Sequence, residues 1–171
     1  TAEYEHRKPR QKMATIESQT PWHLRGNWAP VQTELTADNL FVEGSIPPQL
    51  EGVYIRTGPN PKSGYSPHWF MGDGMVHGVR LSQGKAEWYR NRFVQTPNIT
   101  KTGIGSTPDL GDLSNGSGNT HVVTHAGKIL CLEEGHWPWK IDGELNTIGF
   151  ENYGGSLTTS MTAHPKICPE T

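Results

Sequence analysis

Met75-Val76-His77-Gly78-Val79-Arg80-Leu81, then Ser82-Gln83-Gly84-Lys85, then Ala86-Glu87-Trp88-Tyr89-Arg90-Asn91-Arg92-Phe93-Val94 is the stretch that decides the fold. The first run alternates apolar with other residues, the period of a strand with one buried face. The glycine-containing tetrapeptide supplies a tight turn, and the second run is its aromatic and β-branched partner, so the stretch predicts a β-hairpin. The same grammar recurs downstream, where Thr120-His121-Val122-Val123-Thr124 and Ile129-Leu130-Cys131-Leu132-Glu133 flank the turn His125-Ala126-Gly127-Lys128. A third, shorter pair is expected around Lys140–Leu145. Upstream, Leu40–Gly44 and Gly52–Arg56 read as short strands separated by a turn at Ile46-Pro47-Pro48-Gln49-Leu50. Residues 97–118, rich in Gly, Pro, Ser and Thr, read as a long loop. No helical period persists beyond about two turns. The chain is therefore expected to be an all-β meander of short strands, as in propellers and barrels.

Composition agrees. The 20 Gly and 13 Pro are about a fifth of the 171 residues, against roughly 12% in average usage. That excess excludes a helical bundle, and the lack of any three-residue period excludes collagen. A net charge of −2 offers no basic field for nucleic acid. Residues 1–26 read as a loosely held polar tail carrying the basic arm Arg7, Lys8, Arg10 and Lys12. No apolar run reaches the roughly 20 residues of a membrane span. Cys131 and Cys168 form no disulfide framework, so a reduced, cytoplasmic setting is expected. The low apolar fraction, 33%, fits part of a larger domain better than a complete small one.

Eight histidines raise a metal hypothesis. His121 and His125 are four apart, but on a strand at 3.3 Å per residue they stand about 13 Å apart and cannot share an ion. His6 and His23 are expected to be solvated, His68 and His136 to pack beside their neighbouring Trp, and His77 to be a structural residue. His164 differs. In Met161-Thr162-Ala163-His164-Pro165, the proline holds His164 extended and cannot donate to a ladder. The ring is thus expected at a strand end with a fixed direction, either as a ligand or as an edge histidine at a turn. Gly58-Pro59-Asn60-Pro61 and Gly72-Asp73-Gly74-Met75 lack the spacing of phosphate loops; with Arg56 and Asp73 they read as scaffolding.

Taken in order, Asn27-Trp28-Ala29-Pro30-Val31, Gly44-Ser45-Ile46-Pro47-Pro48-Gln49-Leu50-Glu51-Gly52, Arg56-Thr57-Gly58-Pro59-Asn60-Pro61, His68-Trp69-Phe70-Met71-Gly72-Asp73-Gly74-Met75-Val76-His77, Gly118-Asn119-Thr120 and Ala163-His164-Pro165-Lys166 resemble the N-terminal part of the carotenoid cleavage oxygenases. The resemblance covers residues 27–171. It implies a partial seven-bladed β-propeller, of which this chain holds the first two to three blades, because a blade takes roughly 40–45 residues. It also implies Fe(2+) held by four histidines from different blades, His164 being the position that matches the first. Thr120 matches a threonine close to the open coordination side. Glu134 matches an acidic residue that accepts a hydrogen bond from another iron histidine, with Glu133 as the one-residue alternative. Where the family often reads Leu-Trp-Glu-Gly, this chain reads Leu132-Glu133-Glu134-Gly135.

The activity so implied is cleavage of a conjugated double bond of a carotenoid or apocarotenoid by dioxygen, giving two carbonyl products. A retinoid isomerohydrolase, a stilbene-cleaving dioxygenase and a non-catalytic propeller module with a structural His164 stand as alternatives. A carotenoid or other polyene, dioxygen and a peripheral membrane contact are the partners this implies, with no nucleic acid. The 171-residue stretch alone is expected to be inactive, neither closing a propeller nor holding iron tightly.

Overall fold

The computed structural model describes residues 20–102 and 111–170; most of the polar tail with its basic arm, and residues 103–110 of the expected long loop, lie outside them. Eight strands form two four-stranded antiparallel sheets. The first holds β1 (Leu35–Asp38), β2 (Gly52–Pro59), β3 (Gly74–Ser82) and β4 (Lys85–Phe93) in the order β1-β4-β3-β2. The second is a plain meander of β5 (His121–His125), β6 (Lys128–Leu132), β7 (Trp139–Ile141) and β8 (Thr147–Phe150). Each sheet is one blade, and β2 and β5 lie side by side.

Both hairpins that the alternation predicts are present, and they use the same turn chemistry. Gln83 and Gly84 have φ of 49° and 76°, Ala126 and Gly127 have 47° and 72°. Positive φ at both central residues is the turn whose twist matches antiparallel strands. The third pair forms as β7 and β8, joined through residues 142–146, where Asp142 Oδ1 accepts from the amides of Glu144 and Asn146 at 2.9 and 2.8 Å.

Strand alternation then builds the core. Val76 and Gly78 of β3, Trp88 of β4, and Val53 and Ile55 of β2 share the face turned to the second sheet. There they meet Cys131, Trp139, Ile141 and Leu145. Gly78 is glycine for space, since a Cβ would stand 3.0 Å from a Leu145 methyl and 3.1 Å from Val53. At Gly74 the fit is tighter still: a Cβ would stand 2.3 Å from the Ser117 carbonyl oxygen. The other face of the second sheet buries Leu130 and Leu132 against Ala163, with Val123, Tyr153 and Met161 around them.

Four local expectations change. Leu40–Gly44 is not a strand; Asn39 turns the chain at φ 55° and Phe41 is 92% exposed. The strand lies just before it, as β1, and its signal is tertiary. Asn91 Oδ1 accepts from the Leu35 amide at 2.6 Å and its Nδ2 donates to the Thr33 carbonyl at 3.0 Å. β2 runs on to Pro59, which an edge strand tolerates. The expected loop begins with a helix, α1 (Pro97–Thr102). Thr96 caps it, accepting from the Ile99 amide at 3.4 Å, and proline is well suited to a first helical position. Ile99 then buries against Met75 and Phe93. Finally, residues 20–26 do not trail free. His23 Nε2 donates to the Ser66 carbonyl at 3.1 Å, Trp22 stacks on Trp69 at 4.9 Å, and Leu24 is buried.

Candidate functional site

A cleft of about 700 Å³ opens where the inner ends of the two blades meet. Thr57 to Pro59 close it on one side, the 69–72 loop overhangs it, and Thr120, Glu133, Glu134, His136 and His164 contribute its polar groups. The loop is anchored by Asn119, whose Nδ2 donates to the carbonyls of Phe70 at 3.2 Å and Gly72 at 2.8 Å. The same side chain accepts from Thr120 Oγ1 at 2.9 Å, which fixes the hydroxyl's orientation. The two blades are further joined where Thr57 Oγ1 donates to the Gly118 carbonyl at 3.2 Å.

The polar groups reach the cleft by strand parity. Along β6, Ile129 and Cys131 face the first sheet while Leu130 and Leu132 face the 153–164 segment. Continued past the strand end, the alternation separates the two adjacent glutamates. Glu134 goes with Leu132 and reaches His164, its Oε1 standing 3.5 Å from Nε2. Glu133 goes with Cys131 and bonds instead to His136 Nδ1. The two adjacent glutamates therefore have different partners, His164 for Glu134 and His136 for Glu133. Thr162 ties the group together, with Oγ1 3.4 Å from Glu134 Oε2 and accepting from the His164 amide at 3.2 Å.

His164 itself lies in a bend, not at a strand end, because no described strand pairs with its segment. Its direction comes from three anchors. Ala163 is fully buried beside Leu130 and Leu132. The Met161 amide donates to the His136 carbonyl at 3.1 Å. His121 Nδ1 donates to the Ala163 carbonyl at 3.0 Å, and its ring lies 6.2 Å from that of His164. Spacing along the strand does not single out His121, because its partner Ala163 is 42 residues away. His121 and His125 occupy opposite ends of β5.

Thr120, Glu134 and His164 are thus brought to one cleft. Among the described residues, no group of three or more His, Cys, Asp and Glu is placed to hold a metal ion. The side chains fit one coordination position: an imidazole 70% exposed at the cleft, with a carboxyl group beside its ring. His77 and Asp73 serve the scaffold. His77 Nδ1 pairs with the Tyr89 hydroxyl at 2.8 Å, and burial, reinforced by the Arg56 charge, pushes its pKa down to about 4. Asp73 Oδ2 accepts from the Lys62 amide at 2.8 Å, and burial raises its pKa. Cys131 is pushed up to about 12 by burial, an inert thiol.

This architecture is matched by known proteins. Residues 28–171 match the family model described as RPE65, retinal pigment epithelial membrane protein. The chain belongs to this family of carotenoid cleavage oxygenases. It is 46% identical over 165 residues to a carotenoid cleavage oxygenase of Mycobacterium tuberculosis, covering 91% of this chain and 32% of the relative. A crystal structure of Pseudomonas brassicacearum lignostilbene dioxygenase superposes with a TM-score of 0.75 at 31% identity, covering 90% of this chain and 35% of that one. Cobalt-substituted apocarotenoid oxygenase of Synechocystis gives 0.66 at 25% identity, covering 80% and 33%. The chain spans about a third of the length of these relatives. Its fold is that of carotenoid oxygenase propellers, and its two sheets are two blades of one.

Proposed function

We propose that this chain supplies one wall of an iron(II) centre in a dioxygenase that splits a conjugated double bond of a carotenoid or apocarotenoid into two carbonyl products. One observation carries the reading: His164, Glu134 and Thr120 come from separate segments to a single cleft bordered by Trp69, Phe70 and Met71. Bound iron would supply dioxygen activation, through the open positions that a ligand set of neutral imidazoles leaves. His164 would hold it from this chain, and Glu134, at the same cleft, would accept a hydrogen bond from another of the iron histidines and so orient and polarise that imidazole. The aromatic and thioether side chains of the 69–71 loop receive an apolar polyene and exclude water from it. Both atoms of dioxygen enter the two products, so the reaction balances without a further reductant.

The same reading places the full protein in the cytoplasm, docking at a bilayer surface into which long polyenes partition. The superposition on a lignostilbene dioxygenase favours a second substrate class, a stilbene, for the same chemistry. The experiment is turnover by the full-length protein with iron(II), oxygen and a panel of polyenes and stilbenes, with products resolved by mass. Shorter aldehydes or ketones are expected, and His164→Ala is expected to remove both stoichiometric iron and turnover. Isomerised or hydrolysed products without chain cleavage would replace the reading with an isomerohydrolase. Full iron content and activity in His164→Ala would remove His164 from the centre. The 171-residue stretch alone should neither bind iron stoichiometrically nor turn over.

A further inference from the structure

A second, smaller groove of about 250 Å³ lies on the far face of the first sheet, between β2 and the segment upstream of β1. Val53 and Ile55 turn to the second sheet, so strand parity turns Arg56 the other way, and it forms part of the groove wall. His77 is its directly opposed partner on β3. Nδ1 of that ring is taken by the Tyr89 hydroxyl at 2.8 Å, and burial together with the Arg56 charge keeps the ring neutral. Arg56 itself, which the sequence reads as scaffolding, has no hydrogen-bond or carboxylate partner among the described residues. No Asp, Glu or Lys is among the described residues lining the groove, so Arg56 is its one permanent charge. The rest of the wall is flat and apolar. Trp28, 57% exposed, stands edge-on to Trp69 with ring centroids 4.6 Å apart, and Pro30, Pro59 and Met71 continue the surface. Two indoles at 73° make a corner in which a planar group meets one face and one edge. An unpaired guanidinium beside such a corner suits a ligand that is anionic at one end and flat and apolar along the rest.

We propose that this groove binds a carboxylic acid with a planar, conjugated body, the carboxylate on Arg56 and the body against Trp28 and Trp69. The planar fork of an arginine matches a carboxylate with two parallel hydrogen bonds, and a β-strand flanked by a paired neighbour holds that fork's root in place. Pro59, Trp69 and Met71 also line the cleft that holds His164, so groove and cleft share a wall. The same chemistry therefore has two sources, a separate small acid or the carboxylated end of a long substrate that reaches past Trp69. The site stands whatever reaction the cleft performs.

The test is calorimetric titration of full-length, iron-loaded protein with trans-cinnamate and with cinnamyl alcohol, which has the same body without the charge. Cinnamate is expected to bind about 10- to 100-fold more tightly, the range that charge-assisted hydrogen bonds supply. Arg56→Gln should bring the ratio of affinities close to one. Arg56→Lys, which keeps the charge and loses the fork, should retain part of the preference. Trp28→Leu should weaken both ligands alike and leave the ratio unchanged. Equal affinity of the wild type for the two ligands overturns the inference, as does an unchanged ratio in Arg56→Gln. So does loss of cinnamate binding when the iron is removed, which would put the carboxylate on the metal. Where Arg56→Gln fails to fold, Arg56→Lys and Trp28→Leu carry the test, and unchanged cinnamate affinity in both overturns it. Inhibition of polyene turnover separates the sources: competition that Arg56→Gln abolishes marks the end of a substrate, and binding without competition marks a separate acid. Absence of any polyene turnover would fail the double-bond-cleaving reading, while the titration still decides the groove.

Discussion

The two blades reach the same architecture by different means. The second is a meander in which each strand pairs with the next, and it carries Thr120, both glutamates, His136 and the loop with His164. The first takes its outer strand, β1, from the sequence upstream of β2, and gives the cleft only the backbone turn at Thr57 to Pro59 and the apolar 69–72 loop. Two buried asparagines hold that upstream segment. Asn91 clamps residues 33 and 35, and Asn60 clamps Val31, accepting from its amide and donating to its carbonyl, both at 2.7 Å. Both amides also donate to Met75 Sδ, at 3.6 and 3.4 Å. The meander is stabilised by local hairpins and presents chemistry, whereas the clamped blade is stabilised by distant side chains and serves as its support. Damage to the second blade should therefore reach the cleft, and damage to the first should stay local.

The largest break is expected at Leu130, which is fully buried beside Leu132 and Ala163. Leu130→Ala removes that contact and leaves a cavity, a change that costs about 2–5 kcal/mol in well-packed cores. Because Ala163 precedes His164, the same variant should also weaken iron(II) binding by the full-length protein. Denaturant unfolding and metal titration read the two effects. Iron affinity unchanged in a destabilised variant would uncouple the blade from the site.

Asn91→Ala comes next, at about 1–3 kcal/mol, the cost of leaving buried backbone groups without partners. The Leu35 amide and Thr33 carbonyl would lose their bonds, and hydrogen exchange should show β1 losing protection while β5 to β8 keep theirs. Loss of protection in both sheets would show that the first blade is no independent support.

A smaller effect is expected from acid. His77 has its pKa pushed down to about 4 by burial, with Arg56 adding to it, against about 6.5 in an unfolded chain. Between these values the unfolded state binds the proton more readily. The contribution is thus fully present above about pH 6.5 and is lost as pH falls through the window toward 4. His77 is only half-buried, so solvent screening keeps the effect modest. His77→Gln should flatten the pH dependence of melting of the full protein across this window, and an unchanged slope would assign it to other groups.

What the sequence discloses follows the same division. Alternation and glycine turns show both hairpins, because their information is local: Gln83-Gly84 and Ala126-Gly127 set the turns, and period two sets the faces. β1 is invisible because Leu35-Thr36-Ala37-Asp38 has no strand pattern of its own and exists through Asn91, 56 residues away from Leu35. The helix at Pro97 has a short local signal, Thr96-Pro97 as cap and first-turn proline, set in Gly- and Ser-rich text that reads as loop. In the site, motif order placed Thr120, Glu134 and His164. The Glu133–His136 pair and the bond from His121 to Ala163 are visible only once parity and packing are known, since neither follows from spacing alone.

Two surface arginines give the finest test of the comparison. Arg80 pairs with Glu87 inside the first sheet at 3.7 Å, with both side chains 40% or more exposed. Arg90, on the same face, bonds Glu144 in the turn of the second sheet while its guanidinium lies over Trp88 at 4.4 Å, and its side chain is only 22% exposed. Exposed pairs contribute about 0–1 kcal/mol because water screens them and ordering two long side chains opposes them. Arg80→Ala should therefore cost at most about 0.5 kcal/mol. Arg90→Ala removes the cation over the indole as well, adding about 0.5–1 kcal/mol, and loosens the contact between blades. A double-mutant cycle with Glu144→Ala, measured by denaturant unfolding of the full protein, isolates the pair. Coupling indistinguishable from that of Arg80 and Glu87 would mean that this ion pair adds nothing to the joint, which the apolar face of Val76, Trp88 and Leu145 and the hydrogen bonds of Thr57 and Asn119 then hold.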